Sequence, residues 1–269
     1  MKKLMAGAVA ALAMGVMAGT VTVTKFHQSY PYSGKATVNY TVGGALPASA
    51  VAQVELGGVQ LWANGPYWAE CNVGASKPEE YGYYFWWGDT VGYTKTESGW
   101  ISVKDGTSIW FTDSGTAAST YGKNNSALQS AGYIDSTGNL VAAHDAATAH
   151  LGAPWRMPTS AEIEALVSNC TTTWITTNGV SGRLVTGKGE YANRSIFLPA
   201  AGYGGGSYLY GPGSYLYGSG SDGRYWSSTP GSVYSNAAWG FYFDSNNFGR
   251  YSNSRYNGQS VRPVRGFAE

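Results

Sequence analysis

Few residues in this chain combine the type and spacing that catalysis needs. His144 and His150 are the closest pair among three histidines. They lie six apart in the Ala-rich run "LVAAHDAATAHLG", and on a shared helix they would point about 120° away from each other, so they cannot chelate one metal ion. Glu79 and Glu80 follow Pro78 in a loop-like stretch. Glu162 and Glu164 open a helical pattern, where carboxylates favour the helix dipole without any catalytic role. Asp89 and Asp113 are acidic residues able to help hold Ca²⁺, but no segment has the dense oxygen-ligand spacing of a calcium loop. "GSGSDG" (218–223) spells G-x-G-x-x-G, yet strand-like "RYWSS" follows it instead of a helix whose N-terminus could hold a pyrophosphate. There is no P-loop and no G-x-S-x-G. Cys71 and Cys170 leave a disulfide and free buried thiols both open, and no histidine is spaced to complete a zinc site with them. These residues predict no catalytic centre, no metal and no cofactor.

The C-terminal stretch carries a different chemistry. Ser245 to Asn257, "SNNFGRYSNSRYN", holds Tyr251, Tyr256, Arg250 and Arg255 among four Asn and three Ser. Tyrosine offers large contact area at low entropy cost, and Ser, Asn and Gly offer adaptable hydrogen bonds, as in antibody paratopes. The preceding "NAAWGFYFD" alternates with period two. Trp239, Phe241 and Phe243 are expected to face the core, and Asn236, Gly240 and Tyr242 to face outward. The following "GQSVRPV" reads as a plain scaffold strand.

The elements that must position this stretch are legible in outline. Charged residues are 12%, about half the usual share, while Gly reaches 38 residues and aromatics 14%. That balance argues against disorder and for short strands with many turns. A net charge of +1 gives no electrostatic reason to expect nucleic acid as partner. Lys2 and Lys3 before the apolar run Leu4–Met17 predict a Sec-type signal peptide over residues 1–18, too short for a convincing membrane span and without a lipobox cysteine. The protein is therefore expected to be secreted or at the cell surface, with no transmembrane segment. Residues 19–56 read as a short β segment, with a hairpin of Val21–Phe26 and Ala36–Val42 around "SYPYSG". Residues 57–269 form the main domain. Residues 88–126 read as long loops. Two helices are expected, one in residues 140–152 stopped by Gly152 and one after the capping box Thr159/Glu162, with Ile163, Leu166 and Val167 as its apolar stripe. Strand patterns return after Thr171, interrupted by the near-duplication "GSYLYG" at 206–211 and 213–218, a loop with exposed tyrosines. Strands, two adjacent helices and then many strands predict an α+β fold.

"YGYYFWWGDT", "WRMPTSAEIEALVSNC", "IFLPAAGY", "GRYWSST" and "GQSVRPV" occur in the order seen in bacterial C-type-lectin-fold domains. Over roughly residues 57–269 the chain resembles the Fibrobacter-type major paralogous domain and, more closely, the variable proteins of diversity-generating retroelements. The resemblance implies a C-type lectin fold, two helices with antiparallel sheets, and a ligand surface on the last strands. It implies outward, diversified positions at Tyr234, Asn236, Gly240, Tyr242, Asn247, Gly249, Tyr251, Ser252, Asn253, Tyr256 and Asn257, and a fixed scaffold of Trp226, Trp239, Phe241, Phe243, Val261 and Val264. Ser245–Asn257 lacks Lys, Gln, Glu, Met and Trp, the residues that mutation of the first two bases of an Asn codon cannot produce. The function this implies is an exported, non-enzymatic protein that binds a macromolecular or cell-surface ligand, protein or glycan, through a diversifiable face. The alternatives are a fixed-surface adhesin or carbohydrate-binding module and a formylglycine-generating-type oxidase. No calcium signature of sugar-binding lectins is present, so the fold by itself implies no sugar specificity.

Overall fold

The computed structural model describes residues 57–111, 119–205, 215–231 and 235–266, and the backbone of four strands nearer the N-terminus. Those four are Ala10–Ala11 (β1), Thr20–Gln28 (β2), Ala36–Gly43 (β3) and Gln53–Val54 (β4). The chain divides into two compact units, Met1–Gly57 and Gly58–Glu269. In the first unit β2 pairs antiparallel with β3, Val21 opposite Val42, and β1 pairs with β4. The signal peptide expected over residues 1–18 falls outside the described residues except for β1.

The second unit holds five small antiparallel sheets. One orders Trp155–Arg156 (β10), Val264–Arg265 (β19), Tyr67–Trp68 (β6) and Val59–Gln60 (β5). Tyr93–Thr96 (β7), Gly99–Ser102 (β8) and Ser108–Ile109 (β9) form another, inside the segment expected to be long loops. Cys170–Thr177 (β11), Val180–Gly187 (β12) and Ser195–Pro199 (β13) form a meander. Tyr203–Gly205 (β14) pairs with Tyr215–Tyr217 (β15). Gly223–Pro230 (β16), Ala237–Phe243 (β17) and Phe248–Ser254 (β18) form the last sheet, β17 central.

Three α-helices are described: Asn125–Ser130 (α1), Ala146–Leu151 (α2) and Ser160–Asn169 (α3). Only α3 exceeds two turns, and both halves of its capping box, Thr159 and Glu162, are made. The Ala-rich 140–152 segment does not form one helix. Asp145 stays extended and caps α2 by accepting from Thr148 N, which ends the 3₁₀ turn Ala142–His144 before it. Asp and Asn side chains compete in this way with helical backbone bonding. The expected α+β fold of C-type-lectin type, with two helices flanking antiparallel sheets, is thus not what the chain adopts. The protein is mostly β, small antiparallel sheets with three helices, and no two-helix-and-sheet lectin arrangement is evident. Among the described residues no helix is long and apolar enough to cross a membrane.

Period two explains how one aromatic run serves two cores. Tyr84 and Phe85 sit in extended backbone, bridged to Tyr93 and Gln259, so successive side chains point to opposite sides. Phe85 and Trp87 join Trp226, Ala238 and Val261 in one cluster, while Tyr84 and Trp86 join Tyr93, Trp100 and Phe111 in another. A third cluster packs Ile163 and Leu166 of α3 against Tyr225, Phe241 and Phe243.

The segment after β18 runs through the middle of these clusters. It is only partly a strand: Gly258, Gln259 and Ser260 make single bridges to Gly204, Phe85 and Tyr225, and Val261 and Pro263 accept from the amides of Val73 and Ala69. Arg262, 1% exposed, donates from Nε to Asn72 Oδ1 at 2.8 Å, from Nη1 to the carbonyls of Ala69 and Glu70 at 3.0 and 2.6 Å, and from Nη2 to the Phe197 carbonyl at 3.0 Å. Arg262→Ala should destabilise the domain by about 3–5 kcal/mol, because it strands buried acceptors on two segments, residues 69–72 and β13. Arg262→Lys should not rescue it, since an ammonium donates from one point and cannot match the planar fork. Urea unfolding of the three proteins checks this; a lysine variant as stable as the parent would contradict it.

Candidate functional site

The β16–β17–β18 sheet has two unlike faces. Phe241 and Phe243 are buried against Ile163 and Leu166 of α3, and Phe248 packs at the edge of the same cluster. On that side Arg250 lies 4.1 Å from the Trp239 ring centroid and 2.9 Å from the Glu164 carboxylate on α3. Ser252, opposite Trp239 in the register, belongs to this side too.

The other face carries Arg224, Tyr242 and Gly249 in one cross-strand row and Trp226, Gly240 and Tyr251 in the next. Aromatic contacts run along it without a break. Tyr251 and Tyr242 have ring centroids 5.8 Å apart. Arg224 lies 5.3 Å from the Tyr242 ring and 4.1 Å from the Tyr203 ring, and Tyr203 stacks on Tyr217 at 5.4 Å. Tyr215 follows at 5.7 Å. Tyr215, Tyr217 and Tyr251 are 52%, 38% and 51% exposed, three of the four exposed large hydrophobic residues among those described. The Tyr242 hydroxyl donates to Asp244 Oδ2 at 2.8 Å; burial and this bond push its pKa up to about 12. Asp244 is held well below the usual carboxylate range by the Asn247 amide, the Tyr242 hydroxyl and the Asn246 backbone N–H. Asp222 sits 3.6 Å from Arg224.

The predicted site residues divide sharply. Tyr242, Gly249, Tyr251 and Asn253 come together on this face. Asn247 is exposed in the β17–β18 turn, its Nδ2 donating to both Asp244 oxygens at 3.1 and 2.9 Å. Gly240 is no outward position: a Cβ there would meet the Tyr225 carbonyl oxygen at 2.5 Å. Asn257 is buried and donates to Asn253 Oδ1 at 2.8 Å. Asn236 accepts from Arg255 N at 2.8 Å and reaches the Tyr121 hydroxyl at 3.4 Å. Tyr256 packs on Tyr121 at 5.5 Å, and its carbonyl accepts from Trp86 Nε1 at 2.9 Å. Tyr234 lies outside the described residues. Arg255, counted with the adaptable surface, is wholly buried. It donates to the carbonyls of Ala237, Thr120 and Lys123, and burial pulls its pKa down to about 10. Of the expected scaffold, Trp226, Phe241, Phe243, Val261 and Val264 are buried, whereas Trp239 is only half-buried.

Sequence reasoning missed Arg224 and Tyr203 and treated Tyr215 and Tyr217 as loop residues. The signal was in the second "GSYLYG" copy. Its period-two pattern turns Tyr215 and Tyr217 to one side of β15 and Leu216 to the other, where it packs against the cluster of Trp86 and Phe111.

The histidines and acidic residues considered for metal binding are engaged with neighbouring groups where they are described. His144 and His150 sit on different elements; His144 lies 4.1 Å from the Tyr133 ring, and His150 Nε2 is 2.9 Å from the Thr90 carbonyl. Asp89 accepts from Val91 N and the Tyr93 hydroxyl. Asp113 lies outside the described residues. Among the described residues no group of three or more His, Cys, Asp or Glu is placed to hold a metal. An open groove of about 310 Å³ between Trp62, Pro66 and α3 has Glu162 as its carboxylate, which Arg156 already holds at 2.7 and 2.6 Å. Cys71 and Cys170 are free thiols.

Two predictions follow from these positions. Gly240→Ala should destabilise by about 1–3 kcal/mol through overpacking. Gly249→Ala should stay within about 0.5 kcal/mol, because an added Cβ meets nothing within 4 Å; thermal unfolding of both variants checks the pair. Burial pushes the Cys170 thiol up to about 11, so at pH 8 it stays protonated in the folded protein. Its alkylation by iodoacetamide should be at least about a hundredfold slower than in urea, and equal rates would contradict the buried placement.

A family model described as a domain of unknown function, DUF8237, matches residues 187–264. That span runs from the end of β12 to the start of β19 and includes the whole tyrosine face. No curated protein and no solved structure matches the chain.

Proposed function

We propose that this is an exported, non-enzymatic binding protein whose ligand, a protein or glycan outside the cell, rests on the tyrosine face of β16–β17–β18. The observation that carries this reading is the unbroken run of contacts from Tyr215 through Tyr217, Tyr203, Arg224 and Tyr242 to Tyr251, about half exposed at both ends. Tyrosine and arginine dominate the residues that carry binding energy at interfaces. They do so at low entropic cost when neighbouring rings already hold them in place. Arg224, held between two rings, is preorganised in that sense.

The biological use we propose is a surface that varies between copies, in the manner of retroelement-diversified proteins. The exposure of Asn247 and Tyr251 and the open space above Gly249 support it, because substitution there leaves buried contacts alone. A fixed-surface module is the second reading, favoured by Gly240 and Asn257, where packing dictates the residue.

Two measurements test these readings. Related gene copies should differ at Tyr242, Asn247, Gly249 and Tyr251 while keeping Gly240, Arg255 and Asn257. Differences spread evenly over 187–264 would favour the fixed surface. Binding of the labelled full chain to cell envelopes should fall at least about tenfold in Tyr217→Ala/Tyr251→Ala with thermal unfolding unchanged. Undiminished binding would remove the tyrosine face as the site.

A further inference from the structure

A patch of buried carboxamides lies within the tyrosine face, and two of its NH₂ groups have no partner. Residues 258–260 run beside β16, with Ser260 N donating to the Arg224 carbonyl at 3.3 Å and Trp226 N to the Ser260 carbonyl at 3.0 Å. In this parallel register Gln259 turns to the side of Arg224 and Trp226. Its Oε1 lies 3.6 Å from where a Cβ of Gly240 would be. Gln259 is 2% exposed, and its Nε2 makes no hydrogen bond. Asn253 Nδ2 is likewise buried and unpaired, while Asn253 Oδ1 accepts from Asn257 Nδ2 and Ser254 N, each at 2.8 Å. Tyr251 stands opposite Gly240 in the register, and Tyr242 lies beside Tyr251. The bare backbone at Gly240 leaves the space that the Gln259 amide reaches into.

We propose that Gln259 and Asn253 are the hydrogen-bonding floor of a site for a neutral saccharide, with Tyr242 and Tyr251 supplying its aromatic walls. This rests on the reading of the tyrosine face as the binding surface and names the ligand class. Buried donors without partners are rare in folded proteins because each forfeits its hydration. A ligand that brings oxygen acceptors restores the bond. A carboxamide both donates and accepts, which matches a hydroxyl group that does the same. A tyrosine ring adds an apolar face with a polar tip, which suits a sugar ring with C–H faces and hydroxyl edges. The local charge argues against an anionic ligand: Arg224 is faced by Asp222 at 3.6 Å, and Asp244 adds a second carboxylate beside Tyr242. A site that grips hydroxyls through buried amides also discriminates strongly against analogues lacking them.

The test probes the full chain, Gln259→Met and Tyr251→Ala against immobilised neutral and acidic oligosaccharides, with a panel of extracellular proteins alongside. The parent should bind at least one neutral oligosaccharide. Gln259→Met keeps the side-chain length and removes the amide, so it should weaken that binding at least about tenfold. Its unfolding midpoint should be unchanged or higher, because the amide was unpaired. If no neutral oligosaccharide binds, or if Gln259→Met binds as the parent does, the saccharide proposal is overturned. A protein ligand lost in Tyr251→Ala would then leave the tyrosine face standing without the sugar. A saccharide held equally by Tyr251→Ala would remove the face as well. Should Gln259→Met fail to fold, the side-chain NH₂ resonances of Gln259 and Asn253 in the parent decide the matter: they must shift on titration with the bound oligosaccharide, and unmoved resonances overturn the proposal.

Discussion

Two guanidinium groups buried on one irregular segment hold this domain together. Arg255 and Arg262 have no carboxylate partner in their hydrogen-bond sets; their neighbours are mostly backbone carbonyls. A planar guanidinium can donate in several directions at once, so each side chain ties together segments that no shared sheet connects. Arg262 joins residues 69–72 to the middle of β13. Arg255 joins the start of β17 to residues 120–123 and stacks on Trp87, 4.7 Å from the ring centroid. With five small sheets and short helices, no single layer is large enough to organise the chain. These cross-links supply the connection that a larger sheet would otherwise give.

The tyrosine face depends on that arrangement. The segment carrying the two arginines lies beside β16 through Ser260 and bridges to β14 through Gly258. That bridge brings the paired strands β14 and β15, with Tyr203 and Tyr217, up to Arg224 and Tyr242. The face is therefore assembled from strands far apart in sequence, each fixed from below by buried contacts. Tyr215, Tyr217 and Tyr251 are exposed on it, whereas Gly240 and Asn257 are buried and belong to the support.

Local order was readable where a single residue pattern settled it. The Thr159/Glu162 pair marked the start of α3, and the period-two alternation in "NAAWGFYFD" marked β17. Period two also gave the inward set Phe241 and Phe243. It failed for Gly240, which lies against the Tyr225 carbonyl and the Gln259 side chain, and for Trp239, which is only half-buried with Arg250 over its ring. The Ala-rich segment misled for a similar reason: propensity favoured one helix, whereas Asp145 found a better use for its carboxylate as a cap and as an acceptor for Met157 N. The ordered motifs suggested a lectin-type arrangement of helices and sheets, but motifs of this length specify local strands and turns and leave their assembly open.

The sequence by itself determined a β-rich, aromatic, weakly charged protein with one well-capped helix and a tyrosine- and asparagine-rich C-terminal stretch. Those properties follow from composition, periodicity and capping, which act over a few residues. Only the tertiary structure decided which polar residues of that stretch meet solvent. Arg250 and Arg255 lie five residues apart in one polar run; the first is exposed and pairs with Glu164, and the second is buried among carbonyls. Likewise Gln259, in what read as a plain strand, becomes a buried donor without a partner. The difference is set by which distant segment packs above each residue, and that information is not local.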